Sequence, residues 1–234
     1  MTELREKLNS DGVYLIKNAI NEEGLQDIRA RVNKWKKQFY DNIDMFLRNM
    51  SEGTADSSQL LDGQKERKSL KSGNLVFNNQ KDIVAIHNLN EFFKNDIDHI
   101  VKSYLKTYIN DLYSFRCKVL YSNILIKRPN DEGIVFFHRD LKVKDEWRKA
   151  YNFGIYLDDT TEDSCVYFCK GSHLTDETNY DESSAVPMVA KRGDICVHDS
   201  HVFHGSLGIF FRSLCWKWFG RLQRFLPSCS WVFL

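Results

Sequence analysis

His138 and Asp140 stand two residues apart in the run Gly133 to Asp140 (GIVFFHRD), whose apolar character reads as a β-strand. In an extended chain that spacing puts the imidazole and the carboxylate on one face and turns Arg139 to the other. A metal that must also bind dioxygen needs few protein ligands. Two imidazoles and one carboxylate on a single side leave three positions open, the facial arrangement of non-haem ferrous oxygenases. The third ligand must come from a strand distant in sequence and adjacent in the fold. His198, His201 and His204, in the run DICVHDSHVFHGS, are the candidates. His198 and His204 share strand parity, whereas on a regular strand His201 faces the opposite side.

Two other chemistries touch the same residues. His138-Arg139-Asp140-Leu141-Lys142 imitates the catalytic loop of protein kinases, but that loop needs an Asn five residues after the Asp, and position 145 is Asp. No glycine-rich phosphate loop precedes it and no Asp-Phe-Gly follows. Cys165 and Cys169, with the three histidines, could be read as a zinc site. Structural zinc sites favour tight loops, and this cysteine pair sits in a run that reads as buried β.

The elements that must position these residues are legible in outline. Residues 12–18 (GVYLIKN) read as a short strand. Asn21 then caps an amphipathic helix in which Leu25, Ile28, Val32 and Trp35 recur at helical spacing, running to about Phe39 or beyond. Residues 49–73 turn polar and read as a long surface loop of the kind that forms lids. A second helical stretch is expected from about Glu91 to Tyr108. After Asp111, short runs rich in β-branched and aromatic residues follow one another, each bounded by Gly, Asp, Asn or Pro. That pattern indicates a sandwich or barrel. The expected architecture is one domain over residues 1–234, with helical support over about 1–110 and a β core over about 111–220. The fold class is mainly β with N-terminal and flanking helices, and a jelly-roll core.

Composition agrees with an ordinary globular chain. Hydrophobic residues make up 42% and charged residues 28% of 234, and 33 basic side chains against 32 acidic ones give a net charge of +1. No basic surplus supports binding to a phosphate backbone, so no nucleic-acid partner is expected. The segment MTELREKLN lacks the apolar stretch of a secretory signal, and no run reaches the ~20 apolar residues of a membrane span. Six scattered cysteines read as reduced thiols, so a cytoplasmic setting and no membrane partner are expected. Nothing in the sequence speaks to oligomeric state.

The chain resembles the phytanoyl-CoA dioxygenase family of Fe(II)- and 2-oxoglutarate-dependent oxygenases. The opening DGVYLIKNAINEEGLQDIRARV, the pair at His138 and Asp140, the segment YNFGIYLDDTTEDSCVYFCKGSH and the stretch GDICVHDSHVFHGS follow the family's order. The resemblance implies a double-stranded β-helix, His204 as distal ligand beside His138 and Asp140, and 2-oxoglutarate and dioxygen as cosubstrates. It also implies Arg212 as the anchor of the cosubstrate's distal carboxylate, with Ser206 assisting, and Asn123 as a further hydrogen-bonding partner. Two features depart from the family. Arg212 follows His204 by eight residues, a shorter spacing than usual, which leaves Arg221 as an alternative, and Lys170 stands where proline is common. The tail after Gly220 matches nothing in it.

The implied reaction couples oxidative decarboxylation of 2-oxoglutarate to attack on a C–H bond. Because relatives that halogenate replace the carboxylate with a small residue, Asp140 favours hydroxylation, or a related desaturation or ring closure. A small-molecule substrate is expected over the metal, near Lys127, Trp147, Arg148 and Asn152. The rival expectation is a jelly-roll binding module without catalysis.

Overall fold

The computed structural model describes residues 2–41, 69–70, 75–77, 83–86, 89–113, 119, 121–127, 137–141, 150–175, 180–206 and 229–233. The chain divides into two compact units, Met1–Ile20 with Lys127–Trp231, and Asn21–Ile126 with Val232–Leu234.

The first unit opens with helix α1 (Glu3–Ser10). Thr2 caps it through the Arg5 amide, Glu3 and Glu6 sit in the first turn, and Leu4 and Leu8, one turn apart, are its buried residues. The helix stops at Gly12, whose φ of 76° lies in the left-handed region. A Cβ there would collide with the Val202 side chain and the His173 ring, so only glycine fits. Strand β1 (Val13–Ile16) follows, within the stretch read as a strand. Asn18, at φ 51°, ends that stretch in a turn held by its amide on Asp194 Oδ1 at 2.8 Å.

The second unit is entered by helix α2 (Glu22–Asp41). Asn21 accepts from the Gly24 amide at 3.0 Å, as an N-cap should. Leu25, Ile28, Val32 and Trp35 are each 2% exposed or less, which is the apolar stripe the spacing implied. Trp35 stacks on Phe93 with centroids 5.4 Å apart and donates to Asp96 Oδ2 at 2.9 Å. Arg31 grips Asp96 and Asp27 together, so α2 is tied to its partners by charge as well as by packing. Three short strands come next: β2 (Ser69–Leu70), β3 (Leu75–Phe77) and β4 (Ile83–Ile86). The helical stretch then spans α3 (Leu89–Phe92), α4 (Lys94–Ile100), a π-turn over Val101–Leu105, and α5 (Lys106–Leu112). Strand β5 (Asn123–Lys127) pairs antiparallel with β4, β4 with β3, and β3 with β2. Strands β2, β3 and β4 thus accompany the helices before residue 110. LVF and IVAI are too short to show a period of two, and they become strands through pairing.

The chain returns to the first unit in β6 (Tyr151–Tyr156), β7 (Val166–Phe168), β8 (Val186–Met188), β9 (Ile195–Asp199) and β10 (His204–Gly205), and β11 (Cys229–Phe233) ends the described residues. Strand β9 lies between β1 and β6, antiparallel to both, with His198 opposite Val13 on one side and Asn152 on the other. A second sheet runs β10-β7-β8, with His204 opposite Phe168. Pro187 sits in β8, an edge strand, where a missing N–H costs no ladder bond. Among the described residues no helix is long and apolar enough to cross a membrane. Cys165, Cys169 and Cys196 are buried free thiols.

Candidate functional site

The site forms where the end of β9 turns into β10. The Asp199 carboxylate organises the turn by accepting from the His201 amide at 2.9 Å and from His201 Nδ1 at 2.8 Å. Ser172 Oγ takes the Phe203 amide at 2.8 Å. His204 then pairs with His138 through reciprocal backbone bonds of 2.8 and 2.9 Å. The approach depends on Gly205, because a Cβ there would stand 2.9 Å from Phe137 Cα. Downstream, Leu141 donates to the Ser200 carbonyl at 3.0 Å, so residues 138–141 are fixed at both ends.

His138 and Asp140 share a side, as their spacing requires: His138 Nε2 is 3.3 Å from Asp140 Oδ1. Arg139 is directed elsewhere, donating to the His201 carbonyl at 3.0 Å and covering the Tyr180 ring. His204 Nε2 is 3.8 Å from Asp140 Oδ2. One donor atom from each of His138, Asp140 and His204 lies within 4.8 Å of the other two, and among the described residues this is the one group of histidine, cysteine and acidic side chains that meets such spacing. Metal bonds of about 2.1 Å at right angles would set donors about 3 Å apart, so a six-coordinate ion would draw these side chains closer together. The Cys165–Cys169 zinc reading finds no such group.

The donor chemistry fits as well. His204 Nδ1 is 2.9 Å from the Val202 carbonyl, which can only accept. The ring proton is therefore on Nδ1, and Nε2 presents its lone pair toward Asp140. Burial, aided by repulsion from His198, pulls the His204 imidazolium down to about 3, so the ring is a neutral ligand at neutral pH. For Asp140, burial works against ionisation but is outweighed by hydrogen bonds from His138 and His198 and by the positive potential of His204 and His198. The carboxyl is held well below the usual range. With His204 neutral, the hydrogen bonds do most of this. Phe168 lies against both His204 and His198, with centroids 5.5 and 5.1 Å away, and shields that side from water.

His198 is the residue that sequence reasoning undervalued. It is 1% exposed, and its Nε2 lies 3.4 Å from Asp140 Oδ2 and 3.0 Å from Asn152 Nδ2. Strand parity with His204 had no bearing, because residues 200–203 form a turn between two strands. The usable signal was its register opposite Asn152. Asn152, expected near the substrate, has its amide 2.5 Å from Asp140 Oδ2. His201 is held by Asp199 away from the donor group. Ser206 is buried just beyond β10. Asn123 opens β5 in the second unit, and Lys127 ends the same strand. Arg212, Arg221, Trp147, Arg148, nearly all of the polar loop 49–73 and the side chain of Lys127 lie outside the described residues.

Comparison with known proteins gives several likenesses of fold and one family. The structure of AviO1 from Streptomyces viridochromogenes Tue57 is 17% identical with a TM-score of 0.60, covering 97% of this chain and 90% of that one. The carbocyclase SnoK, non-haem and α-ketoglutarate-dependent, from nogalamycin biosynthesis, is 14% identical with a TM-score of 0.61, covering 100% and 83%. The epimerase SnoN, in complex with Fe3+, α-ketoglutarate and nogalamycin RO, is 12% identical with a TM-score of 0.58, covering 99% and 82%. At these identities the likeness shows the fold. No curated protein sequence matches the chain. The phytanoyl-CoA dioxygenase (PhyH) family model matches residues 8–209, with the His-Asp-His group inside that span, and the chain therefore belongs to the phytanoyl-CoA dioxygenase family.

Proposed function

We propose that this protein is a non-haem Fe(II)- and 2-oxoglutarate-dependent dioxygenase that hydroxylates a C–H bond of a small molecule. The observation that carries the reading is the grouping of two imidazole nitrogens and one carboxylate oxygen within 4.8 Å of one another. Family membership and neighbours such as SnoN, bound to Fe3+ and α-ketoglutarate, support it. On this reading residues 1–234 form a single oxygenase domain built on a jelly-roll core, and the enzyme works in the cytoplasm.

His138, Asp140 and His204 would hold the metal. When bound, ferrous iron with 2-oxoglutarate and dioxygen supplies the oxidising power to break a C–H bond, releasing succinate and carbon dioxide. The protein's own work is placement. The Val202 carbonyl aims His204 Nε2, the reciprocal bonds between residues 138 and 204 set the spacing, and Phe168 excludes water on one side. Arg212 and Ser206 are proposed to take the distal carboxylate of 2-oxoglutarate, with Asn123 as a further contact. Lys127, Trp147, Arg148 and Asn152 are proposed on the substrate side.

Thermal unfolding tests the reading. Ferrous iron with 2-oxoglutarate, each at about 100 times its Kd, should stabilise the fold by at least ~2.7 kcal/mol. For a chain of this length that raises Tm by about 5–10 °C. Succinate formation under air, absent under nitrogen, should accompany it. A Tm unmoved by both ligands would favour the non-catalytic module.

A further inference from the structure

Within the oxygenase reading, the carboxylate ligand has a second set of partners that the reaction does not itself require. Asn152 and His198 stand directly opposite each other in the antiparallel register of β6 and β9, so their side chains share one face. Asn152 is 7% exposed and His198 1%. The Asn152 amide nitrogen reaches Asp140 Oδ2 at 2.5 Å and His198 Nε2 at 3.0 Å. It carries hydrogens and no acceptor, so it donates to Oδ2. The reverse orientation would press an amide oxygen against a carboxylate oxygen at hydrogen-bond distance, which is repulsive. His198 Nε2, 3.4 Å from the same oxygen, donates to it as well, so amide and imidazole hold Oδ2 together.

We infer that Asn152, backed by His198, is a positioning residue that fixes the plane of the Asp140 carboxylate, taking Oδ2 and leaving Oδ1 as the oxygen offered to the metal. Oδ1 is the oxygen that faces His138 Nε2, at 3.3 Å. A carboxylate free to rotate can close on a metal through both oxygens and occupy one more coordination position. With Oδ2 held, three positions stay open, two for 2-oxoglutarate and one for dioxygen. The inference rests on the metal reading of the site, and the test separates the two.

Full-length apo protein is titrated with cobalt(II), whose visible d–d bands report coordination number and geometry, and apo Tm is measured in parallel. Wild type should bind cobalt. Asn152→Leu, close in volume and without a donor, should bind it 10–100-fold more weakly and with altered bands, the size of effect usual when a partner of a metal ligand is lost. Asn152→Ala and His198→Phe report on the same brace if the leucine variant fails to fold, and both should change the bands in the same direction. Wild-type affinity and bands in variants that fold would overturn the inference and leave the metal site standing. So would a lowered apo Tm with unchanged cobalt binding, which marks a purely structural residue. Failure of wild type to bind cobalt would overturn both.

Discussion

Replacing Gly205 with alanine is the sharpest test of how the site is assembled, because it changes one methyl group and no ligand. The added Cβ would lie 2.8 Å from Phe137 Cδ2, 2.9 Å from Cγ and 2.9 Å from Cα. A phenylalanine ring can swing aside, but a backbone Cα moves only with its stretch of chain. That stretch carries His138, which is joined to His204 by two backbone bonds. Gly205 does not have a positive φ, so the alanine suffers no dihedral strain and reduces the entropy of the unfolded chain by about 0.4–1 kcal/mol. Against that gain stand two weakened hydrogen bonds at about 0.5–1.5 kcal/mol each. Overpacking adds about 1–3 kcal/mol. Destabilisation wins, and a Tm lower by roughly 5–10 °C follows for a chain of this size. Because the segment that shifts carries two of the three donors, cobalt(II) or iron(II) affinity should fall as well. Differential scanning fluorimetry and metal titration read both effects. A Gly205→Ala protein with wild-type Tm and wild-type metal affinity would show that the bridge between residues 138 and 204 does not set the spacing of the donors.

Asp140→Ala should abolish succinate-coupled hydroxylation and lower iron(II) affinity; full turnover would remove Asp140 from the metal ligands. For Arg212→Ala, the 2-oxoglutarate requirement should rise by one to two orders of magnitude, the loss of a charged hydrogen-bond partner being worth about 1.5–3 kcal/mol, and an unchanged value would assign the anchor to another residue such as Arg221. Asp96 gives a pH test outside the site. Burial works against its ionisation but is outweighed by the Trp35 donor and the charges of Lys34 and Arg31, so its carboxyl sits below its ordinary value. Stability from that depression is present above the unfolded value of about 3.9 and is lost as acid protonates the folded group. Asp96→Asn should therefore lower Tm at pH 7 and show a shallower fall than wild type between pH 5 and pH 3 in thermal melts; parallel curves would refute it.

The parts that could be read from sequence are those whose logic is local. An i, i+2 spacing fixes which side chains of an extended segment share a side, which is why His138 and Asp140 could be paired and Arg139 set apart. Helix α2 was legible because an Asn cap and four apolar residues at helical spacing point to one answer. What could not be read depends on pairing between segments far apart in the chain. His198 gains its partners only when β6 and β9 align in one register, and the turn at 200–203 makes parity with His204 meaningless. Strands β2, β3 and β4 have two to four residues each. That is too few for periodicity, so neighbours decide their state. Helix α1 is short for intrinsic propensity to act alone, and it stands on its Thr2 cap and on Leu4 and Leu8.

The hydrogen bond from His204 Nδ1 to Val202 has a consequence for how the centre comes together. The bond spans two residues of one turn, so the orientation of this imidazole is settled by its own stretch of chain before any distant strand arrives. His138 and Asp140 touch each other and also answer to partners 66, 58 and 12 residues away in His204, His198 and Asn152. The centre is thus half rigid jaw and half adjustable one. Damage elsewhere in the sheets should misalign the His138 side first, leaving a lone aimed histidine that grips metal weakly.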